Sequence, residues 1–533
     1  MSWLDKMPKI AVIATLGGML FGFDISSISA VDVSKQYLSY FNAPAGVIQG
    51  AIGSSLAAGS VVGSICAGYF SDRFGRRDSV WYANWFWLIG TAVQVSSRSV
   101  GQLIAGRAIN GLCIGVTTSQ VPVYLAEIAK AESRGTVVII QQLACEFGIL
   151  IMYFLSYGCS VSMNQVAYEN EEADICVLQF ISGPASFRVA WAMQWIPSVL
   201  MFFLLPFLPE SPRWFAKVGR KKEAIEVLAR IQANGDVNDP LVIAEWEEIS
   251  ITNQAENDAG NIIQKLFFRG MWKRTLAGFT VQMWQQLSGA NVMVYYLTYI
   301  AEMAGLTGNV AMITSGIQYA VFIIFTGITF LFVDKVGRRS LLISGALSMG
   351  LCHFIVGAIM ATNKANVPGG IGGNPNVNFR VVGKNAQNAV ITFSYLLIVA
   401  YSITLAPMCW IYAAEVWSLG TRATGMGIAS LGNWLFNFAL GLFTPPGFQN
   451  IQWEVFMIFG TLCIFMAGWV FGLYPETCGK TLEEIEFMFS KDGPPAWKTR
   501  KGDSRLAREI EDVKARKQAE EAPSAEGVQN EKA

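Results

Sequence analysis

The chain has 533 residues, of which 53% are hydrophobic and 15% charged, with 39 basic and 39 acidic side chains. Soluble domains average about 25% charged residues, and the mean hydropathy here is +0.39, which rules out a disordered chain and argues against an ordinary cytosolic enzyme. Zero net charge argues against a nucleic-acid binder, which needs a basic face. One His, nine Cys and no CxxC pair offer few metal ligands, so no metal or cofactor is expected. His353, alone in an apolar run, reads as a packed residue. What remains is a multi-span membrane protein.

A bilayer-spanning helix needs about 20 mostly apolar residues. The first six such runs fall at roughly 10–31, 46–70, 80–97, 102–126, 136–158 and 188–208. Span 1 carries Asp24; it is too long for a secretory signal peptide and lacks a cleavage-site pattern, so it reads as a retained helix. The loop near 159–187 is acidic, with Glu169, Glu171, Glu172 and Asp174. Cys159 and Cys176 fall in or beside it, where a disulfide is chemically possible. Between spans 6 and 7, residues 209–274 include GRKKEAIEVLARI, an amphipathic helical pattern. Six further spans follow at roughly 275–303, 310–333, 341–362, 388–412, 423–445 and 451–474. The tail 490–533 is charged and Pro-interrupted, the composition of a disordered or loosely helical segment. No Asn-x-Ser/Thr sequon occurs, so N-glycosylation is not expected.

The expected fold is therefore an all-α membrane protein. It has a first six-helix half over 1–208, a helical linker over 209–274, a second half over 275–489 and a tail over 490–533. Lys and Arg favour cytoplasmic loops. With the N-terminus inside, nine basic residues fall in short inner loops and five in outer loops. Both termini and the linker are then cytoplasmic.

The halves share text. Asp72-Arg-Phe-Gly-Arg-Arg77 follows span 2, and Asp334-Lys-Val-Gly-Arg-Arg339 follows span 8. Tyr124-Leu-Ala-Glu127 with Arg134 is matched by Tyr412-Ala-Ala-Glu415 with Arg422. Pro209-Glu-Ser-Pro and Pro475-Glu-Thr close each half. Duplicated six-helix halves are a transporter architecture, with substrate held between them near the midplane. Acidic and basic residues repeated at the inner helix ends can pair when that face is closed and part when it opens. Arg73, Arg76, Arg77, Glu127, Arg134, Arg338, Arg339, Glu415 and Arg422 are therefore expected to form an inner gate.

The DRFGRR and DKVGRR loops, PESPRW at 209–214, QQLSGAN at 285–291 and PETCGKTLEEIE at 475–486 resemble the sugar porter family of the major facilitator superfamily. The similarity covers about 10–490, and length and tail look most like fungal hexose and pentose carriers. The resemblance implies a major facilitator fold, a monosaccharide site and alternating access. A dry sugar site must replace the water hydrogen bonds it removes. Gln and Asn do so without charge, and aromatic rings suit the C–H face of the sugar. Spans 5, 7, 10 and 11 supply this mixture: Gln141 and Gln142, Gln285, Gln286 and Asn291, Trp410, and Asn433 with Trp434. By resemblance, Gln142, Gln285, Gln286 and Asn291 are sugar ligands, Trp410 stacks on the ring, Phe21 lines the site and Tyr295 stands with Tyr296 near the outer gate. Three departures from the family pattern bear on which sugar fits: Ala406 for a glycine, Gln318 for an asparagine, and Ile-Ser-Ser-Ile-Ser after Asp24.

Intramembrane charges are expensive and usually paired. Asp24 reads as the mid-span carboxylate of the first half, and Arg107 as the arginine that the resemblance sets opposite it. Moving them apart would let Asp24 take or release a proton. The expected function is a proton-coupled monosaccharide importer, not an enzyme, acting as a monomer in the plasma membrane. A facilitative uniporter is the alternative, and a sugar sensor a weaker one. The expected partners are sugar, proton and lipid bilayer, without nucleic acid.

Overall fold

In lipid every backbone N–H and C=O must be satisfied within the protein, so long apolar runs fold as helices. The computed structural model describes residues 7–501 except 30, 32–33, 130–133, 161–182, 240–241, 244, 248, 252–265, 268–271, 307–308, 334, 372–375, 418–420, 481 and 491–492. Ten described helices are long and apolar enough to cross a membrane. Span 1 is Ile10–Ser29, span 2 Val47–Phe74, span 4 Val100–Ile128, span 5 Ile139–Cys159 and span 6 Ala185–Phe207. Span 8 is Val310–Thr329, span 9 Arg338–Asn363, span 10 Lys384–Glu415, span 11 Arg422–Asn450 and span 12 Glu454–Leu473.

The other two expected spans are present in less uniform form. Span 3, Arg76–Val95, opens on Arg76, Arg77 and Asp78. Span 7 is cut into Trp272–Leu287, Ala290–Tyr295 and Leu297–Met303. The first cut falls at Gly289, whose φ of 78° is left-handed, a conformation glycine adopts without the steric cost of a side chain. Span 10 is also broken, at Thr404, so that Pro407 sits in the first turn of Leu405–Glu415, where its missing N–H is tolerated. Several helices run past the apolar text: span 9 starts three residues before its apolar run, and span 11 continues through Pro445 and Pro446 to Asn450. Polar and proline-bearing turns at helix ends leave no mark in hydropathy.

Without a hydrophobic force between helices in lipid, association rests on close packing of small residues. Spans 2 and 4 follow that rule. A Cβ on Gly59 would stand 1.9 Å from the Ala108 carbonyl oxygen, and one on Gly111 would stand 2.1 Å from that of Leu56. Gly59→Val should push the two helices apart and lower the yield of monodisperse protein several-fold in size-exclusion chromatography. The equivalent change at Gly472 meets nothing within 4 Å and should leave the yield unchanged.

The halves meet chiefly through spans 2 and 11, which pack along their length: Gly50 lies on Leu442 near one end and Gly68 on Thr424 near the other. Span 5 of the first half packs on span 8 of the second, where the Tyr153 hydroxyl donates to the Met312 carbonyl at 3.0 Å. Between spans 6 and 7, Pro212–Lys217 and Lys221–Gln232 form short helices; the second is the amphipathic pattern of the sequence. The Gly/Asn-rich loop after span 9 folds into a small antiparallel hairpin, Lys364–Asn366 against Phe379–Val381. Beside it, the Asn376 side-chain oxygen accepts from the Gly46 amide of the first half at 2.9 Å. Also at that end, the Thr298 hydroxyl donates to the Ser29 carbonyl across the halves at 3.2 Å.

Candidate functional site

The two breaks in spans 7 and 10, and the meeting of spans 1, 4, 5 and 11, bring most of the expected site residues together. Phe21, Gln142 and Trp410 line one cavity with Gly18, Thr118, Gln141 and Cys145. The cavity is closed down to room for about one water, so a sugar enters only if the surrounding helices part. Phe21 packs edge-on to Trp434, ring centroids 4.9 Å apart, and the Trp434 indole N–H donates to the Thr118 hydroxyl at 3.1 Å. Trp434 thus joins span 11 to span 4 while backing the aromatic wall.

The second-half amides form a chain of their own. Gln286 donates to the Asn433 side-chain oxygen at 2.5 Å. Its own oxygen accepts from Asn291 at 2.6 Å and from Asn437 at 3.2 Å. Gln285 donates to the carbonyls of Ala406 and Leu405, at 3.3 and 3.4 Å, just after the break in span 10. Tyr295 lies beside Asn437. These amides satisfy one another, so a sugar hydroxyl that binds here exchanges one set of bonds for another rather than filling empty valences.

Two features were not singled out as ligands by the sequence reading. Gln141 lines the cavity with a side-chain oxygen that has no hydrogen-bond partner among the described residues. Asn437 closes the amide chain. The signal was available for both, as paired glutamines in span 5 and an asparagine one turn after Asn433.

Asp24 and Arg107 meet as expected. The guanidinium donates to both carboxylate oxygens, at 2.8 and 3.1 Å, and its Nε donates to the Ile52 carbonyl at 3.0 Å. Both side chains are fully buried. Asp24 is, however, not the lone mid-span carboxylate of the first half, because Glu146 lies in the middle of span 5.

The arginine-rich end differs from the expected gate. The pairs Arg76–Glu127 and Arg338–Glu415 each run within one half. Arg76 grips Glu127 at 3.0 and 3.3 Å, and Arg338 reaches Glu415 at 3.1 Å. Ser211 donates to Glu127, and Thr477 to Glu415. Arg76 also donates to the Ser71 carbonyl and Arg338 to that of Val333, five residues back in each case. The reason is local. The carboxylates of Glu210 and Glu476 accept the first backbone N–H groups of spans 3 and 9, from Arg76 and Arg77 and from Arg338 and Arg339. Helix N-termini favour such anions, and glycines at 75 and 337 leave room for them. Burial pushes the Glu210 carboxyl above its usual range, and the Ser211 and Arg77 amides oppose that. Arg77 donates to the Pro206 and Leu208 carbonyls at the end of span 6, and Arg339 to Phe471 near the end of span 12. Across the halves, Arg422 acts on Glu127 electrostatically. Arg73 stands apart on Tyr69 and Phe74. The Arg134 side chain and Cys176 lie outside the described residues, whereas Cys159 is buried at the end of span 5. His353 is packed, its Nε2 2.9 Å from the Ser288 carbonyl oxygen.

Residues 10–489 match the family model for Sugar (and other) transporter. The chain belongs to that family. It is 40% identical over 528 residues to the high-affinity glucose transporter 1 of Candida albicans, covering 96% of this chain and 93% of that one. It is 38% identical over 493 residues to a high-affinity glucose transporter of Kluyveromyces lactis, covering 92% and 86%. Among solved structures it is similar to the major facilitator superfamily proton:xylose symporter XylE bound to 6-bromo-6-deoxy-D-glucose. There the TM-score is 0.73 at 25% identity, covering 91% of this chain and 99% of that one. The transporter is thus a multi-pass membrane protein of the major facilitator fold, a carrier of sugars and not an enzyme.

Proposed function

We propose that this transporter is a proton-coupled monosaccharide importer of the plasma membrane, working by alternating access as a monomeric unit with both termini in the cytoplasm. The observation that carries the coupling is the Asp24–Arg107 pair, buried and bidentate at the side of the cavity-forming helices. The similarity to a symporter named for proton and xylose supports the same reading. The sugar is read as sitting between Phe21, Gln142 and Trp410 and the amides of Gln285, Gln286, Asn291 and Asn433, with Trp434 behind Phe21 and Tyr295 above. The inner charges then serve first to brace each half, so that the halves move against each other as units.

A facilitative uniporter is the second reading. The fungal relatives are named as glucose transporters with no coupling ion in the name, and Asp24–Arg107 would then be a structural pair. Uptake of labelled glucose, xylose, galactose and arabinose in a hexose-transport-deficient yeast, with and without a protonophore, separates them. Accumulation abolished by the protonophore supports symport; equilibration unaffected by it supports uniport.

The site itself is tested by truncation. Loss of one amide that meets a buried hydroxyl costs roughly 1–3 kcal/mol, or about ten- to hundredfold in affinity. Gln142→Ala and Gln285→Ala should each raise the KM for the best sugar by that factor while surface expression is retained. An unchanged KM in both would remove these residues from the site.

A further inference from the structure

Glu146 lies one turn beyond Gln142 on span 5, and its side chain is fully buried. One carboxyl oxygen accepts two neutral donors: the Gln142 amide at 3.0 Å and, from span 8 of the other half, the Thr326 hydroxyl at 2.9 Å. The other oxygen has no hydrogen-bond partner among the described residues. No salt bridge is formed by Glu146 among the described residues. Span 8, Val310–Thr329, contains no Asp, Glu, Lys, Arg or His. From span 10 the titratable group facing it is Tyr401, and on its own helix Cys145; both phenol and thiol are ordinarily neutral near pH 7. The nearest charges on spans 1 and 4, Asp24 and Arg107, are closed on each other.

An isolated intramembrane carboxylate is costly, and one held by two neutral donors has no counter-charge to offset that cost. A neutral carboxyl needs none: its carbonyl oxygen accepts both donors and its hydroxyl carries the proton. We propose that Glu146 is a second proton-exchanging group of the transport cycle, which in its protonated form orients Gln142 toward the sugar and fastens span 5 to span 8 through Thr326. Gln142 lines the cavity and Glu146 stands behind it, so Glu146 acts on the sugar through its neighbour. When span 8 withdraws, Thr326 leaves and water can reach the carboxyl. The carboxyl O–H bond then breaks, the proton passes to that water, and the carboxylate remains until the halves close again. The proposal deepens the sugar-carrier reading and rests on it for the role of Gln142.

The test uses the full chain in proteoliposomes. Infrared difference spectra between acid and alkaline buffer should show the carbonyl band of a buried protonated carboxyl that is absent in Glu146→Gln and present in Asp24→Asn. Transport gives a second measure. In exchange of labelled D-glucose by Asp24→Asn, the KM should rise with pH as Glu146 loses its proton. Adding Glu146→Gln should abolish that rise and keep the KM within about threefold, because an amide oxygen can take the same two donors. Glu146→Ala should raise the KM about tenfold. Absence of the band in the wild type, its persistence in Glu146→Gln, or equal defects in the Gln and Ala variants would overturn the proposal. If the wild type carries no sugar of the panel, the sugar reading fails, and the infrared spectrum alone decides whether Glu146 holds a proton.

Discussion

Asp24→Asn is expected to abolish accumulation of sugar against a gradient while leaving exchange of labelled for unlabelled sugar intact. The side chain keeps its shape but can no longer take or release a proton. In the wild type, uptake should rise as outside pH falls and collapse with a protonophore; in the variant, exchange should ignore the protonophore, and the rise of KM with pH that Glu146 imposes should be its remaining pH response. The substitution also leaves Arg107 without a counter-charge at a fully buried position. Breaking a buried pair from one side costs about 3–5 kcal/mol, so surface expression has to be measured beside transport. The remaining bonds from Arg107, to the Ile52 and Gly53 carbonyls, hold the guanidinium near its place. Normal accumulation by well-expressed Asp24→Asn would end the symport reading and leave the pair a structural one.

The second large effect is expected at the arginine-rich end, and it is unequal between the halves. Glu127 is 2% exposed and Arg76 4%, whereas Glu415 is 26% exposed opposite an equally buried Arg338. Glu127→Ala leaves the buried Arg76 with only the quarter-exposed Asp72 at 3.2 Å as a counter-charge, so it should cost about 3 kcal/mol, the low end for breaking a buried pair. Glu415→Ala removes a partner that water already reaches, so solvent screening makes its cost smaller, nearer 1 kcal/mol. Thermal unfolding of detergent-purified variants should show the larger loss for Glu127→Ala, and Glu127→Gln should recover part of it through the Ser211 hydroxyl. Equal losses would mean that the two clusters are not braces of their own halves.

The architecture was legible because lipid narrows the choices: an apolar run of about 20 residues has little option but to be a helix. The duplication was legible because Gly-Arg-Arg and Pro-Glu recur at matched places. What pairs with what was not. Text alone offers Arg76 both Glu127 and Glu415; the Glu210 carboxylate on the first amides of span 3 fixes the backbone there, and Arg76 turns into its own half. Asp24 and Arg107 were readable as a pair because each is expensive alone. Glu146 was equally expensive and was passed over, since it falls outside the sugar-ligand spacing that drew attention to Gln142. The self-satisfied chain Asn291–Gln286–Asn433 needed coordinates, because which amide donates to which depends on where Gly289 breaks span 7.

The hairpin after span 9 gives the two faces of the bundle unequal standing. Asn376 holds Gly46 and reaches the Pro44 carbonyl, and nearby Thr298 and Tyr319 hold Ser29, so neutral hydrogen bonds join the halves at that face. Such bonds are worth about 1 kcal/mol each, so a surplus of two over the opposite face weights the resting population roughly thirtyfold toward forms shut on the hairpin side. A binding site that is accessible from one side only in a minor fraction of molecules shows weaker apparent affinity from that side by the same fraction. The sugar site would then have two affinities, one for each side of the membrane, set in part by a loop outside the proposed sugar site.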